Sequence, residues 1–279
     1  MTDRMATWTP EAVRARAVRE NFPVAGLLFP RAVRPHLMAV YGFARLADDI
    51  GDEAPGDRMA LLDGLEAELD AAYRGTPRDP VVRRLALTIE AFSLPRDPFA
   101  RLIEANRVDQ RVHRYATFDD LLGYCALSAN PVGEVVLRLI RSWTPERQPL
   151  SDATCTGLQL VEFWQDLGED LERGRVYLPL EDLAEFGYSV DELTAGVRDH
   201  RFVRLMAFEA RRTRDLLVRG RALARALPGR VGFAVRLFTA GGLAALDDLV
   251  GRCFDTFERS AHASKARRAA AAVRELVRP

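Results

Sequence analysis

Residues 34–53 read RPHLMAVYGFARLADDIGDE and decide the fold class. Apolar side chains recur there with the period of an amphipathic helix, and the turn-forming sequence Ala-Pro-Gly follows at 54–56. The same periodicity predicts helices over 57–73 and 81–92, and a further helix that starts near 97–98. No stretch alternates apolar and polar residues as a half-buried strand does. The sequence therefore predicts an all-α protein.

The second half of the chain has the same helical pattern. Thr117 begins a predicted helix in which we expect Pro131 to form a kink. A polar, proline-containing loop is predicted at 142–150, and the next helix at 151–173, where Gly174 ends it. More helices follow, with breaks predicted at Gly187, Gly196, Pro228-Gly229 and Gly251.

The bulk composition excludes several classes of protein. Hydrophobic residues make up 48% of the 279 residues and charged residues 29%, which suits a sizeable core and not a disordered tail. The 40 basic and 40 acidic residues balance, so nucleic acid is not expected as a partner. Three cysteines without CxxC spacing fit neither a disulfide framework nor a zinc site. We expect one domain over 1–279.

The first twenty residues and the longest apolar run bear on the location of the protein. Charges occur throughout the first twenty residues, which lack the apolar core of a signal peptide. The apolar run at 237–246 is too short to span a bilayer, which needs ~20 residues. We expect a cytoplasmic protein with peripheral contact at the inner membrane surface.

A first carboxylate cluster lies at the end of the predicted helix over 34–53, where residues 48–52 read DDIGD. Asp48 and Asp52 are four residues apart, so they share one helix face. Tyr41 and Arg45 fall on the same face, within about 60° of both carboxylates at 100° per residue. One stripe of an otherwise apolar helix therefore carries an aromatic ring, a guanidinium and two carboxylates.

A second cluster repeats the pattern at 166–170, which reads DLGED. Asp166 and Asp170 are again four apart, and Gln159 and Glu162 continue the stripe upstream. A single pair of this kind is typical of a solvated helix face. Two pairs on otherwise apolar helices would repel strongly without a cation, and Mg²⁺ is the cation that bridges carboxylates to phosphate oxygens. The duplication therefore predicts a magnesium-assisted diphosphate clamp on facing helices.

Other catalytic sites find less support in the residues. A di-iron or di-manganese bundle needs Glu-x-x-His on two helices, and none of the four histidines follows a glutamate at that spacing. GxSxG, P-loop and GxGxxG motifs are also missing from the sequence. A non-catalytic lipid-binding or partner subunit remains a further alternative, against which the two intact carboxylate pairs argue.

The two clusters and their surroundings resemble the squalene/phytoene synthases. The signature regions are YGFARLADDIGDE and FWQDLGEDLERGRVYLP, and the resemblance runs from about residue 21 to about residue 268. Two longer stretches resemble the hydroxysqualene synthase branch of the bacterial hopanoid pathway. They read ENFPVAGLLFPRAVRPHLMAVYGFARLADDI and RYATFDDLLGYCALSANPVGEVVL, and the FWQD tetrad has the same resemblance. The implied fold is the isoprenoid synthase helical bundle around a central apolar tunnel.

The resemblance also implies roles for individual residues. Metal ligands would be Asp48, Asp49, Asp52, Asp166 and Asp170, with Glu162 a further candidate. Substrate-binding residues would be Phe22 in an N-terminal flap, Tyr41, Arg45, Tyr124, Val132, Gly133, Gln159 and Lys265. Tyr41, Arg45 and the four aspartates at 48, 52, 166 and 170 would be catalytic. Among the substrate residues, Arg45 and Lys265 would contact diphosphate, and Tyr124, Val132 and Gly133 would line the tunnel.

Two positions bear on the branch of the family. Glu162 stands where relatives usually have a metal-binding Asn, which keeps an oxygen ligand but adds a charge. Gln165 stands where head-to-head condensing relatives often have Arg, consistent with one diphosphate in place of two. The implied reaction converts presqualene diphosphate and water to hydroxysqualene and diphosphate with Mg²⁺ and without NADPH. The alternative is head-to-head condensation to presqualene diphosphate, squalene or phytoene.

Overall fold

The computed structural model describes residues 28–257, and every regular element in that range is an α-helix. The all-α class predicted from periodicity is therefore confirmed. The helices are α1 Arg34–Asp52, α2 Arg58–Tyr73, α3 Pro80–Phe92, α4 Asp97–Asp109, α5 Phe118–Ser128, α6 Asn130–Leu139, α7 Gln148–Gln165, α8 Leu167–Glu172, α9 Leu180–Glu185, α10 Val190–Thr194, α11 His200–Ala226 and α12 Gly229–Gly251. One isolated bridge joins Arg114 and Val176.

The chain forms two compact units. One contains residues 28–111 and 131–144, and the other contains 112–130 and 145–257. The single domain predicted over 1–279 stays a prediction, because compactness of each unit does not decide whether they fold independently. None of the helices between 28 and 257 is long and apolar enough to cross a membrane.

The first unit is organised around α1, which packs on α3 and α4. Pro35 occupies the first turn of α1, where its missing N–H costs no hydrogen bond. The inward face of α1 includes Phe43, which is fully buried and meets Phe99 of α4 edge to face at 5.6 Å. Asp57 caps α2 by accepting a hydrogen bond from the Ala60 N–H at 3.0 Å. These contacts fix the helix that ends in the first carboxylate cluster.

The second unit is organised around three helices, α7, α11 and α12, that approach one another closely at glycines. A Cβ on Gly157 of α7 would lie 2.8 Å from the Leu217 side chain of α11, and one on Gly220 would lie 2.2 Å from Thr154 Oγ1. Gly242 of α12 leaves similar room for the Leu158 side chain, at 2.8 Å. The missing side chains thus allow α7, which leads into the second cluster, to sit against both long helices.

Two predicted helix boundaries were wrong. The helix begun at Thr117 does not run through Pro131 with a kink: α5 ends at Ser128 and α6 begins at Asn130, with Pro131 in its first turn. Proline has no N–H to donate along the helix, and its ring clashes with the carbonyl four residues earlier, so the helix breaks just before it. The predicted loop at 142–150 is shorter, because α7 begins at Gln148 with proline in its first turn. The breaks predicted at Gly187 and Gly196 are confirmed, each with positive φ.

Candidate functional site

The first carboxylate cluster occupies the last turn of α1 and divides into outward and inward side chains. Asp48 and Asp52 are exposed, one turn apart on the same helix. Asp49 is only 5% exposed, and its Oδ1 lies 2.6 Å from Arg45 Nη2. A buried carboxylate needs such a partner, because desolvation of an unpaired charge is costly. Arg45 thus neutralises Asp49, one turn along the helix.

Neighbouring helices hold the backbone of this last turn in place. The Arg58 guanidinium of α2 donates hydrogen bonds to the carbonyls of Gly51 and Asp52, each at 2.9 Å. Gln110, just after α4, donates from Nε2 to the Gly51 carbonyl at 3.0 Å. The carbonyls at a helix end have no partner within the helix, so these donors satisfy them. The turn that carries Asp48 and Asp52 is thereby fixed from outside α1.

The second cluster differs from the predicted continuous helix over 151–173, because the chain interrupts the helix at Asp166. Its backbone angles are φ −97° and ψ 11°, between α7 and α8. A continuous helix would direct the Gly168 N–H to the Trp164 carbonyl, but it donates to the Thr256 carbonyl at 3.2 Å. The Asp170 N–H still donates to the Asp166 carbonyl at 2.9 Å, so the two aspartates remain one turn apart.

Electrostatics at the second cluster favour a bound cation. Burial raises the pKa of Asp170 to about 7, and the nearby Asp166 carboxylate raises it further. Arg175 and Arg173 act in the opposite direction, yet the net rise persists. Burial and the neighbouring carboxylate thus disfavour ionisation of both aspartates together at neutral pH when no cation is present. A divalent cation would compensate the two charges.

The aspartate pairs are suited to a divalent cation that takes part of its ligands from elsewhere. Between residues 28 and 257, no three His, Cys, Asp or Glu side chains come together that could hold a metal ion by themselves. Mg²⁺ usually keeps several waters and takes one or two carboxylates plus phosphate oxygens, so paired aspartates suffice. At the second cluster a bound cation would favour the ionised form of Asp170, and the first cluster presents two exposed carboxylates on one face. Asp48 and Asp52, and likewise Asp166 and Asp170, are suitable ligand pairs.

An aromatic group forms around Tyr177, on the segment that follows α8. Tyr177 stacks on Phe163 of α7, with ring centroids 3.8 Å apart and planes 6° from parallel. Tyr124 of α5 and Tyr115 complete the group, each with its centroid 5.8 Å from that of Tyr177. Sequence reasoning singled out only Tyr124. Phe163 and Tyr177 both belong to the quoted FWQDLGEDLERGRVYLP stretch, so that signature contained the missed signal.

Backbone hydrogen bonds fix this segment. The Val176 N–H donates to the His113 carbonyl at 2.8 Å, and the Leu180 N–H donates to the Tyr115 carbonyl at 2.9 Å. Gly174 precedes them with a φ of 76°, which ends α8 without the cost that a side chain would add there. The backbone on either side of Tyr177 is therefore fixed by hydrogen bonds to the segment at 113–115.

A second buried carboxylate with a raised pKa lies away from the aspartate clusters. Glu209 of α11 is 0% exposed, and burial raises its pKa to about 8 against the opposing effect of Arg212. The Arg212 guanidinium bonds both Glu209 and the buried Asp182 of α9, and lies 3.7 Å from the ring centroid of Phe118. The group joins α9 to α11 and has the character of a structural ion cluster.

The remaining predicted residues fall at several places. Glu162 is exposed on α7, and Gln159 Nε2 lies 3.5 Å from its Oε2. Tyr41 is half-buried, on the α1 turn before Arg45.

Val132 is 37% exposed at the start of α6 in the first unit, next to Gly133, whereas Tyr124 lies in the second unit. Their shared role in lining a tunnel stays a prediction. Phe22 and Lys265 lie outside the described residues.

Comparison with known proteins identifies what the chain resembles. The family model for squalene/phytoene synthase matches residues 15–267. The chain is 35% identical to the 15-cis-phytoene synthase of Synechococcus elongatus over 210 residues, which cover 70% of this chain and 68% of that one. It is also 35% identical to the hydroxysqualene synthase of Sinorhizobium fredii over 208 residues, or 73% of this chain and 70% of that one.

A solved structure agrees with the family match. Squalene synthase HpnC from Alicyclobacillus acidocaldarius superposes with a TM-score of 0.85 at 42% identity. The superposition covers 92% of this chain and 98% of that one. The likeness therefore extends over nearly the whole chain.

Proposed function

The chain belongs to the squalene/phytoene synthase family, and on that premise we propose that it is a hydroxysqualene synthase. The reaction converts presqualene diphosphate and water to hydroxysqualene and diphosphate. The observation that supports a diphosphate-releasing reaction is the pair of carboxylate clusters, and in the second cluster burial and Asp166 raise the pKa of Asp170 to about 7. The choice of branch is supported by the SANPVG stretch, the FWQD tetrad and the similarity to hydroxysqualene synthases.

The aspartates would act as ligands. Asp48 and Asp52 on α1, and Asp166 and Asp170 at the second cluster, would each hold magnesium through carboxylate oxygens. Bound magnesium supplies a Lewis acid that stabilises the negative charge developing on the departing diphosphate. Glu162 is a further candidate ligand, one turn before Asp166. The inward Asp49 would contribute through Arg45 instead, because the two form an ion pair within α1.

The rest of the reaction needs basic side chains that bind the diphosphate, an apolar lining that excludes bulk solvent from the carbocation, and one water molecule that reacts with it. Arg45, and Lys265 outside the described residues, would bind the diphosphate as its carbon–oxygen bond breaks. The face of Tyr124 would stabilise the carbocation by cation–π attraction while it rearranges, with the stacked rings of Tyr177 and Phe163 beside it. A water oxygen then bonds to the cation, and its proton leaves to the diphosphate or to solvent. No electron is transferred, so NADPH is not needed.

A second candidate function is head-to-head condensation of two prenyl diphosphates. The observation that favours it is that phytoene synthases are as similar to this chain as hydroxysqualene synthases are, at 35% identity. The solved relative is itself called a squalene synthase. Gln165 argues for the hydrolytic branch, because an uncharged amide there gives less attraction for a second diphosphate. A non-catalytic lipid-binding role is the remote alternative.

Product analysis tests the proposal. Presqualene diphosphate, farnesyl diphosphate and geranylgeranyl diphosphate are offered separately with Mg²⁺, with and without NADPH, and the products are identified by mass spectrometry. We expect hydroxysqualene from presqualene diphosphate alone and no effect of NADPH. Phytoene from geranylgeranyl diphosphate, or squalene formed only with NADPH, would support condensation instead. The double variant D48N/D166N controls for non-enzymatic solvolysis of the substrates. If the wild-type protein turned over none of the three substrates, the non-catalytic role would be favoured.

The remaining partners follow from the same proposal. We expect a prenyl diphosphate as the substrate and no nucleic-acid partner. Because both substrate and product carry long apolar chains, we expect peripheral contact with a membrane surface and a cytoplasmic location. Sedimentation with lipid vesicles, with and without Mg²⁺, checks the membrane contact.

A further inference from the structure

Asn106 of α4 contacts the first carboxylate cluster, although no motif in the sequence singled it out. Its side chain is buried, with 6% of its surface exposed. Its Nδ2 donates a hydrogen bond to Asp48 Oδ1 at 3.2 Å and another to the Leu102 carbonyl at 3.1 Å. Both protons of this amide therefore have acceptors, and one of those acceptors is a predicted metal ligand.

Gly51 makes room for this contact. A Cβ at residue 51 would lie 2.2 Å from Asn106 Oδ1 and 3.0 Å from its Cγ, closer than atoms can approach. A side chain at residue 51 would therefore push the Asn106 amide away from α1. The two residues are a matched pair, in which the absence of one side chain allows the other to reach Asp48.

Gln110 completes the arrangement without touching a carboxylate. Its Nε2 donates to the carbonyls of Gly51, at 3.0 Å, and Asn106, at 3.1 Å. One turn of α4 thus contacts both the backbone of the DDIGD motif and the Asp48 side chain. Thr88 of α3 offers a contrast in the same unit, because it is 2% exposed and its Oγ1 bonds to His36 Nδ1, away from the cluster.

We propose that Asn106, seated against Gly51, is a positioning residue that holds the Asp48 carboxylate in its metal-binding orientation. A hydrogen bond to one carboxylate oxygen restricts the rotamers of the side chain before the cation arrives. Less conformational freedom is then lost on binding, so affinity rises. The inference rests on the proposed function, since it takes Asp48 as a magnesium ligand.

The test measures cation binding without turnover. Mn²⁺ serves as the probe because it prefers the same oxygen ligands as Mg²⁺ and its free ion gives an EPR signal. The full-length protein is titrated with inorganic diphosphate present, and Mg²⁺ competition checks that the sites are shared. N106L keeps the size of the side chain and removes the donor, so we expect affinity to fall by about 10- to 100-fold.

Two further variants separate positioning from packing. T88V removes a buried hydroxyl in the same unit and should lower the melting temperature while leaving Mn²⁺ affinity unchanged. G51A should weaken binding as N106L does, because its new methyl displaces the amide. In G51A/N106A the smaller side chain accommodates that methyl, so the double variant should bind as N106A does alone, and not with the product of two losses.

The outcomes separate the positioning role of Asn106 from the role of Asp48 as a metal ligand. Wild-type affinity in N106L, or multiplicative losses in G51A/N106A, would overturn the positioning role while leaving the proposed function intact. A wild-type protein that binds Mn²⁺ no better than D48N would overturn both, because Asp48 would then be no ligand. Weaker binding in N106L and G51A, with T88V unchanged, supports the inference.

Discussion

The two carboxylate clusters share a sequence pattern and differ in structure. Asp48 and Asp52 lie exposed on the uninterrupted helix α1, whose last turn is held by side chains from outside it. Asp166 interrupts its helix, and burial raises the pKa of Asp170 to about 7. With the same i,i+4 spacing, the backbone of the first cluster is held by hydrogen bonds from neighbouring side chains, whereas in the second cluster desolvation raises the pKa of Asp170. The spacing specifies the ligands, and the surroundings determine their charge.

Removal of one ligand charge should have the largest effect, and it should be similar in both clusters. D48N and D166N replace a carboxylate by a poorer magnesium ligand, so we expect at least about a 100-fold loss of diphosphate release in each. Helicity by circular dichroism should be unchanged. D119N, at an exposed position on α5, is the matched control. Near-normal turnover in either cluster variant would show that the two clusters are not functionally equivalent.

Gly168 tests the interruption in the second cluster. A Cβ there would lie 2.8 Å from the Thr256 carbonyl oxygen, so G168A should destabilise the protein by roughly 1–3 kcal/mol through overpacking. G123A is the control, because nothing lies within 4 Å of a Cβ at that exposed position of α5. It should instead gain roughly 0.5–1 kcal/mol from helix propensity. Denaturant unfolding measures both, and equal stabilities would contradict the close approach of Thr256.

The pH dependence of stability should distinguish the second cluster. Because the folded pKa of Asp170 is raised to about 7 from an ordinary value near 4, its neutral form stabilises the metal-free protein below about pH 4, and this contribution is lost as pH rises through 7. D170N keeps a neutral side chain. The melting temperature of D170N minus that of the wild type should therefore increase with pH.

Magnesium should change this profile. The metal displaces the proton, so stabilisation of the wild type by Mg²⁺ should increase as pH rises through 7 and be weak in D170N. Glu209 titrates in both proteins and cancels in the difference. A temperature difference that stays constant across pH would mean that Asp170 ionises as an ordinary carboxylate does.

Glu162 should give the smallest effect. It is exposed and one turn before Asp166, where it would add a further carboxylate to the second cluster. Repulsion among these groups makes Mg²⁺ affinity rise with pH. E162N should restore the ligand usual in the family, keep activity and weaken that pH dependence. Activity is titrated with Mg²⁺ on either side of pH 7, and identical curves for both proteins would mean that Glu162 is no ligand.

Features that depend on nearby sequence could be predicted. The limits of α1 were predicted to within one residue, since its apolar period and the Ala-Pro-Gly stop are local. The four aspartates could be paired because a helix places residues four apart on one face. Helix geometry also explains why Asp48 points outward and Asp49 inward, once the buried face of α1 is known.

Features that depend on distant contacts could not be predicted. The break at Asp166 involves the Thr256 carbonyl, which the sequence places far along the chain. The fit of Asn106 against Gly51 joins α4 to α1 and leaves no periodic signal. The stack of Tyr177 on Phe163 depends on how the segment after α8 returns to α7. Such contacts arise from tertiary packing, which spacing along the chain does not encode.

The glycine contacts among α7, α11 and α12 have a consequence for local unfolding. Helices that touch at backbone distance can separate only together, because partial opening would expose the close-packed surfaces of all three. Amide hydrogens along α7 up to Trp164 should therefore exchange with solvent only on global unfolding. Amides of the short helices α8 and α10 should exchange through smaller openings. Asp166 of the second cluster thus lies between α7, whose amide hydrogens should exchange slowest, and α8, whose amide hydrogens should exchange faster.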